Sequence, residues 1–118
     1  MFGLDGEIKL IDLGLAKQTV LPNQTLHTVA GTPYFIAPEV LKGAYGKECD
    51  IWSLGVIFFN LITGVLPFEA NTQAALFTKI KSGGYTFPKS AQGKVSTECI
   101  DLISKMLTVD KGKRITAE

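Results

Sequence analysis

Apolar positions are densest between Cys49 and Thr63, in Cys-Asp-Ile-Trp-Ser-Leu-Gly-Val-Ile-Phe-Phe-Asn-Leu-Ile-Thr, where ten of fifteen residues are apolar. At about 100° per residue they fall on every side of a helix, and a helix apolar all round is expected to be buried. Asp50, the only charge in the run, lies at the amino-terminal end, where a carboxylate meets unpaired N–H groups and the positive end of the dipole. Gly64 supplies a stop and Pro67 blocks a restart. The expectation is a central core helix about 24 Å long.

The pattern elsewhere is weaker but ordered. Leu4-Asp5-Gly6-Glu7 has the Asp-Gly signature of a tight hairpin turn, followed by a predicted strand Ile8-Lys9-Leu10-Ile11 whose partner would be Met1 to Leu4. From Asp12 to Pro33 the chain is rich in Thr, Asn, Gln and Gly and has no helical period, which suits a functional loop. Pro38 to Leu41 predicts a short helix closed by Gly43. Asn71 is placed to cap a helix with Leu76, Phe77 and Ile80 on one face, Lys79 and Lys81 near its negative end, and Gly83-Gly84 closing it. Residues 85 to 94 read as an irregular connection. Ser96 is placed to cap the most amphipathic helix, with Cys99, Leu102, Ile103, Met106 and Leu107 forming a core-facing stripe. Thr116-Ala117-Glu118 resembles a cap and first turn, so both ends look cut.

Composition narrows the function. Ile51 to Phe68 holds eighteen residues without a charge, the length at which a membrane span must be weighed. Gly55, Asn60, Thr63, Gly64 and Pro67 interrupt it, and the flanks carry mixed charge, so no span is expected. Hydrophobic content of 46% with 19% charged residues excludes intrinsic disorder, and a net charge of +1 argues against a nucleic-acid surface. Cys49 and Cys99 both fall in apolar helical patterns, as free cysteines in a reducing compartment do. No leader pattern opens the chain, so a cytoplasmic or nuclear location is expected.

Four blocks in order resemble the carboxyl-terminal lobe of a eukaryotic serine/threonine protein kinase. They are Ile8-Lys9-Leu10-Ile11-Asp12-Leu13-Gly14, Gly31-Thr32-Pro33-Tyr34-Phe35-Ile36-Ala37-Pro38-Glu39, Asp50-Ile51-Trp52-Ser53-Leu54-Gly55-Val56, and the single arginine, Arg114. Gly-Thr-Pro-x-x-x-Ala-Pro-Glu followed eleven residues after its Glu by Asp-x-Trp-Ser-x-Gly is a specific signal. Tyr-Phe-Ile-Ala-Pro-Glu-Val-Leu and Leu66-Pro67-Phe68 are closest to the calcium/calmodulin-dependent and calcium-dependent group. The resemblance implies a mainly α partial kinase domain over residues 1–118, from the strand before Asp-Leu-Gly to just before the last lobe helix. Its parts would be one short β-hairpin, an activation segment and helices around a buried central helix.

The resemblance also implies roles. Asp12 matches the Asp of Asp-Phe-Gly that holds Mg²⁺ on the ATP phosphates, a hard-cation site suited to a carboxylate. Leu13 replaces the usual Phe. Thr32 matches the threonine beside the catalytic Asp, and Tyr34 and Phe35 would line the pocket for the substrate residue after the phosphorylated one. Glu39 and Arg114 match a family ion pair, for which a planar guanidinium is well suited; Asp50 matches the Asp that anchors the catalytic loop. Thr28 matches an activating phosphosite and Lys17 a basic position that contacts such a phosphate. Beside these stand ordinary readings: turn residues for Asp12 and Thr32, aromatic core for Tyr34 and Phe35, two surface charges that never meet for Glu39 and Arg114, a helix cap for Asp50, compatible with its role, and solvated loop for Thr28.

These residues contain no Gly-rich nucleotide loop, no Val-Ala-x-Lys strand and no His-Arg-Asp-x-x-x-x-Asn loop. ATP and Mg²⁺ are therefore expected to act only in an intact parent kinase, and the fragment alone is expected to be inactive. Its partners would be a protein substrate and an upstream activating kinase. The alternative is a kinase-derived binding module that docks proteins through the helix from Asn71 to Ser82.

Overall fold

Helix α1 spans Glu48–Thr63 and ends as its sequence dictates: Gly64 adopts a left-handed conformation (φ 77°), and its N–H donates to the Asn60 carbonyl at 2.8 Å. The computed structural model describes residues 5–11, 13–16, 33–43, 45–91 and 93–118. Helix α2 spans Gln73–Ser82 and α3 spans Thr97–Met106, with short 3₁₀ turns at Leu13–Leu15, Pro33–Phe35 and Val40–Lys42. Helix α1 is the element the others meet, packing against α3 and against the Pro33–Phe35 turn.

The burial of α1 corrects the expectation of a helix enclosed on all sides. Trp52, Gly55, Val56 and Phe59 are buried, whereas Leu54 is 52% and Leu61 73% exposed, with Ile57 beside them. Residues three and four apart share a helix face, so one stripe is covered and the opposite stripe is open. The glycine at position 55 permits the close approach of α3: a Cβ there would lie 2.9 Å from Met106 Cβ and 3.1 Å from Leu107 Cδ2. Met106 Cβ is attached directly to the backbone and cannot step aside.

The rest of the core is aromatic. Phe68 stacks on Trp52 with centroids 5.5 Å apart and planes 7° apart, while Phe59 meets Tyr85 edge-on and Phe87 at 4.9 Å. Leu76 and Ile80 bring α2 to this cluster, and Ile103 and Leu107 bring in α3 and the residue after it.

Helix starts follow their sequence signals to within a residue or so. Ser96 Oγ accepts from Cys99 N–H at 3.2 Å, as expected. For α2 the cap is Thr72 rather than Asn71: its extended backbone (φ −133°, ψ 152°) lets Oγ1 accept from Ala75 N–H at 3.2 Å. Leu102, expected on the core stripe of α3, lies at its rim and is exposed, while Ile103 and Met106 are buried.

Two further expectations change. The helix predicted over Pro38 to Leu41 is a 3₁₀ turn at Val40–Lys42, closed by Gly43 at φ 79°. The segment is too short for an α-helix, and its bonds run three residues back, Lys42 N–H to Glu39 O and Gly43 N–H to Val40 O, both 3.0 Å. The Asp-Gly turn is present, with Gly6 at φ 80° and Glu7 N–H donating to Asp5 Oδ1 at 3.1 Å. No strand follows it among the described residues: Ile8 makes an isolated bridge, and Ile8, Leu10 and Ile11 are exposed. A strand needs a ladder partner, and the expected partner, residues 1–4, lies outside the described residues.

Candidate functional site

Arg114 organises the clearest polar site. Its Nη1 donates to Glu39 Oε1 at 2.6 Å and its Nη2 to Glu39 Oε2 at 2.9 Å, a two-pronged pair whose side chains are 0% and 8% exposed. Its other donors reach backbone carbonyls: Nη1 to Glu48 at 2.8 Å, Nε to Thr108 at 2.9 Å and Nη2 to Val109 at 3.4 Å. The guanidinium carbon lies 5.2 Å from the Trp52 ring centroid. A cation removed from water needs all its donors satisfied; here all five are. One side chain thereby joins the turn at Glu39, the start of α1 and the segment after α3.

Tyr34 and Phe35 are half-buried in the turn beside α1. Ser53 Oγ donates to the Phe35 carbonyl at 2.8 Å, so a polar side chain on α1 holds the aromatic turn in place. The sequence reading missed Ser53, although a hydroxyl in the middle of an apolar helical run is the signal that could have revealed it. It also missed the carbonyls of Glu48, Thr108 and Val109, which leave no trace in side-chain identity.

Asp50 differs from its expected cap role. Lys47 occupies the cap position of α1 without a side-chain cap bond, and Asp50 lies in the first turn with an exposed side chain. The helix starts one residue earlier than predicted, which carries Asp50 past the cap. Among the described residues its carboxylate accepts only from Cys49 Sγ, at 3.7 Å. Asp12, Lys17, Thr28 and Thr32 lie outside the described residues. Among the described residues no group of three or more His, Cys, Asp and Glu is placed to hold a metal ion, and no helix is long and apolar enough to cross a membrane.

Cys49 is a half-buried free thiol whose pKa is pushed up to about 12, first by desolvation and then by the negative charges of Asp50 and Glu39. The unfolded thiol ionises near 9.0 and the folded one near 12, so the folded chain holds the extra proton between those values. This contribution to stability is complete below pH about 9 and is lost as pH rises through about 12. Alkylation of Cys49 in the folded chain is accordingly expected to stay slow from pH 7 to 9. Iodoacetamide labelling followed by mass spectrometry checks this, and labelling as fast as that of a free cysteine peptide would contradict it.

The described geometry is a positioning framework: an aromatic turn hung from a core helix and locked to a distal segment by a buried arginine. Residues 1–118 match the protein kinase domain family, and the chain belongs to that family. Among curated proteins it is similar to calcium-dependent protein kinase 3 of Plasmodium yoelii yoelii and of Plasmodium berghei (strain Anka). Each is 42% identical over 110 residues, covering 93% of this chain and 20% of the relative. The chain thus spans about one fifth of the length of these relatives.

Proposed function

We propose that these residues form the substrate-facing part of the carboxyl-terminal lobe of a serine/threonine protein kinase of the calcium-dependent group. Intact, that kinase transfers the γ-phosphoryl group of ATP to a protein hydroxyl. The observation that carries this reading is the buried Glu39–Arg114 pair. It ties the Ala37-Pro38-Glu39 segment to the distal part of the fold, and with Ser53 it fixes the Tyr34-Phe35 turn where a substrate backbone would be met. Phosphoryl transfer depends on positioning more than on covalent chemistry, so a rigid turn of this kind is a functional part.

In this reading Thr32 steadies the substrate hydroxyl, and Tyr34 and Phe35 flank the residue that follows it. Asp12 contributes a hard carboxylate oxygen, the donor type that Mg²⁺ takes. One carboxylate does not complete such a site, and the remaining donors would come from a catalytic loop that these residues do not contain. Mg²⁺-bound ATP supplies the phosphoryl group and neutralises its charge when bound. Thr28 and Lys17 form the activating pair, a phosphothreonine being drawn to a cation.

Radiolabelled ATP and a generic basic peptide test the assignment. The purified 118-residue chain is expected to transfer no label, while the full-length parent transfers it and loses that activity on Asp12→Asn. Label transfer by the short chain that depends on Asp12 would overturn the fragment reading; full-length activity indifferent to Asp12→Asn would overturn the role given to that residue.

A further inference from the structure

At the Pro33–Phe35 turn the chain runs short of backbone donors. A 3₁₀ turn continues when the N–H three residues on donates back to each carbonyl. For the Phe35 carbonyl that position is Pro38, which has no N–H. The carbonyl takes the partly buried hydroxyl of Ser53 instead, at 2.8 Å, and no other donor meets it among the described residues. Ser53 Oγ also lies 3.2 Å from the Cys49 carbonyl, one turn back on α1. A serine hydroxyl carries a single proton, so it serves one of these acceptors at a time. Within an α-helix the Cys49 carbonyl falls to the backbone N–H four residues on, that of Ser53 itself. Phe35 is therefore the acceptor that needs the hydroxyl.

We propose that Ser53 is a positioning residue for substrate selection: through the Phe35 carbonyl, its hydroxyl sets the shape of the pocket that takes the side chain following the phosphorylated residue. The inference rests on the kinase reading, which puts Tyr34 and Phe35 against that side chain. Both rings are half-buried against the core, and the peptide unit after Phe35 decides how the backbone leaves the turn. Holding its carbonyl removes a rotation of that peptide plane, and with it a range of positions for the Phe35 ring. In this reading Ser53 meets the turn rather than ATP or the reacting hydroxyl, so its effect falls on the choice of peptide.

The experiment uses the full-length parent and two peptide sets built around one phosphorylated serine, the first varying the residue after it and the second the residue before it. Wild type is compared with Ser53→Ala and Ser53→Thr. Alanine is favourable in a helix interior, and the helical rotamers of threonine bring its hydroxyl to the carbonyl four residues back, where Ser53 Oγ already lies. In Ser53→Ala the spread of kcat/KM across the first set is expected to shrink about two- to tenfold, the size of one lost hydrogen bond. The change should lie in the KM for peptide, with the KM for ATP and the spread of the second set unaltered, and Ser53→Thr should restore the wild-type spread. An unchanged spread across the first set in Ser53→Ala would overturn the inference, as would an equal fall for every peptide of both sets, the mark of a purely structural loss. A wild type indifferent to the following residue would overturn it too, whereas a parent that phosphorylates no peptide would overturn the kinase reading beneath it.

Discussion

Glu39→Ala is expected to cost the folded parent about 3 to 5 kcal/mol, and Arg114→Ala a similar amount, because each leaves the other charge buried and uncompensated. The pair is 0% and 8% exposed and bonded through both prongs at 2.6 and 2.9 Å, so the survivor has no route to water without rearrangement. Removing Glu39 strands a guanidinium whose remaining bonds are to carbonyls. Removing Arg114 also frees the carbonyls of Glu48, Thr108 and Val109 and takes the cation from the Trp52 ring. A loss of this size is a large share of the roughly 5 to 15 kcal/mol that holds a domain folded. Urea denaturation of the two single variants and the double variant reads the coupling directly. Single losses that simply add would mean that the two side chains do not stabilise one another.

Trp52→Ala is expected to cost about 3 to 5 kcal/mol as well, by a different cause: a large buried ring removed from a core that cannot fully close over the space. The indole is wholly buried, stacked on Phe68 at 5.5 Å and lying 5.2 Å from the Arg114 guanidinium carbon. Trp52→Phe should cost distinctly less. It keeps a ring in the stack and removes the Nε1–H donor, which is buried without a hydrogen-bond partner in the structure. Thermal melts followed by far-ultraviolet circular dichroism distinguish the two, since the chain has one tryptophan and both variants lose its fluorescence. Equal melting points for Trp52→Ala and the unmodified protein would remove the indole from the core described above.

The sequence by itself determined the local features, those set by a few neighbouring residues. The stop of α1 at Gly64, the Ser96 cap of α3 and the Asp5-Gly6 turn all follow from backbone freedom or short-range hydrogen bonding. The pairing of Glu39 with Arg114, 75 residues apart, was legible only through resemblance to a family. Charge and residue type alone could not bring the two together.

Tertiary structure decided which side of α1 is covered. Ten apolar residues of fifteen predict burial everywhere, but burial needs a partner surface, and α3, the Pro33–Phe35 turn and the rings of Phe68, Tyr85 and Phe87 cover only the stripe of Trp52, Gly55, Val56 and Phe59. It likewise decided that Thr72 rather than Asn71 caps α2, and that Asp50 lies inside the first turn, since a shift of one residue in a helix start changes every role near it. The bonds of Arg114 to backbone carbonyls and the hold of Ser53 on Phe35 depend on where distant backbone comes to rest. Side-chain pattern encodes which face of an element prefers the interior; it does not encode which carbonyl or open cleft that face will meet.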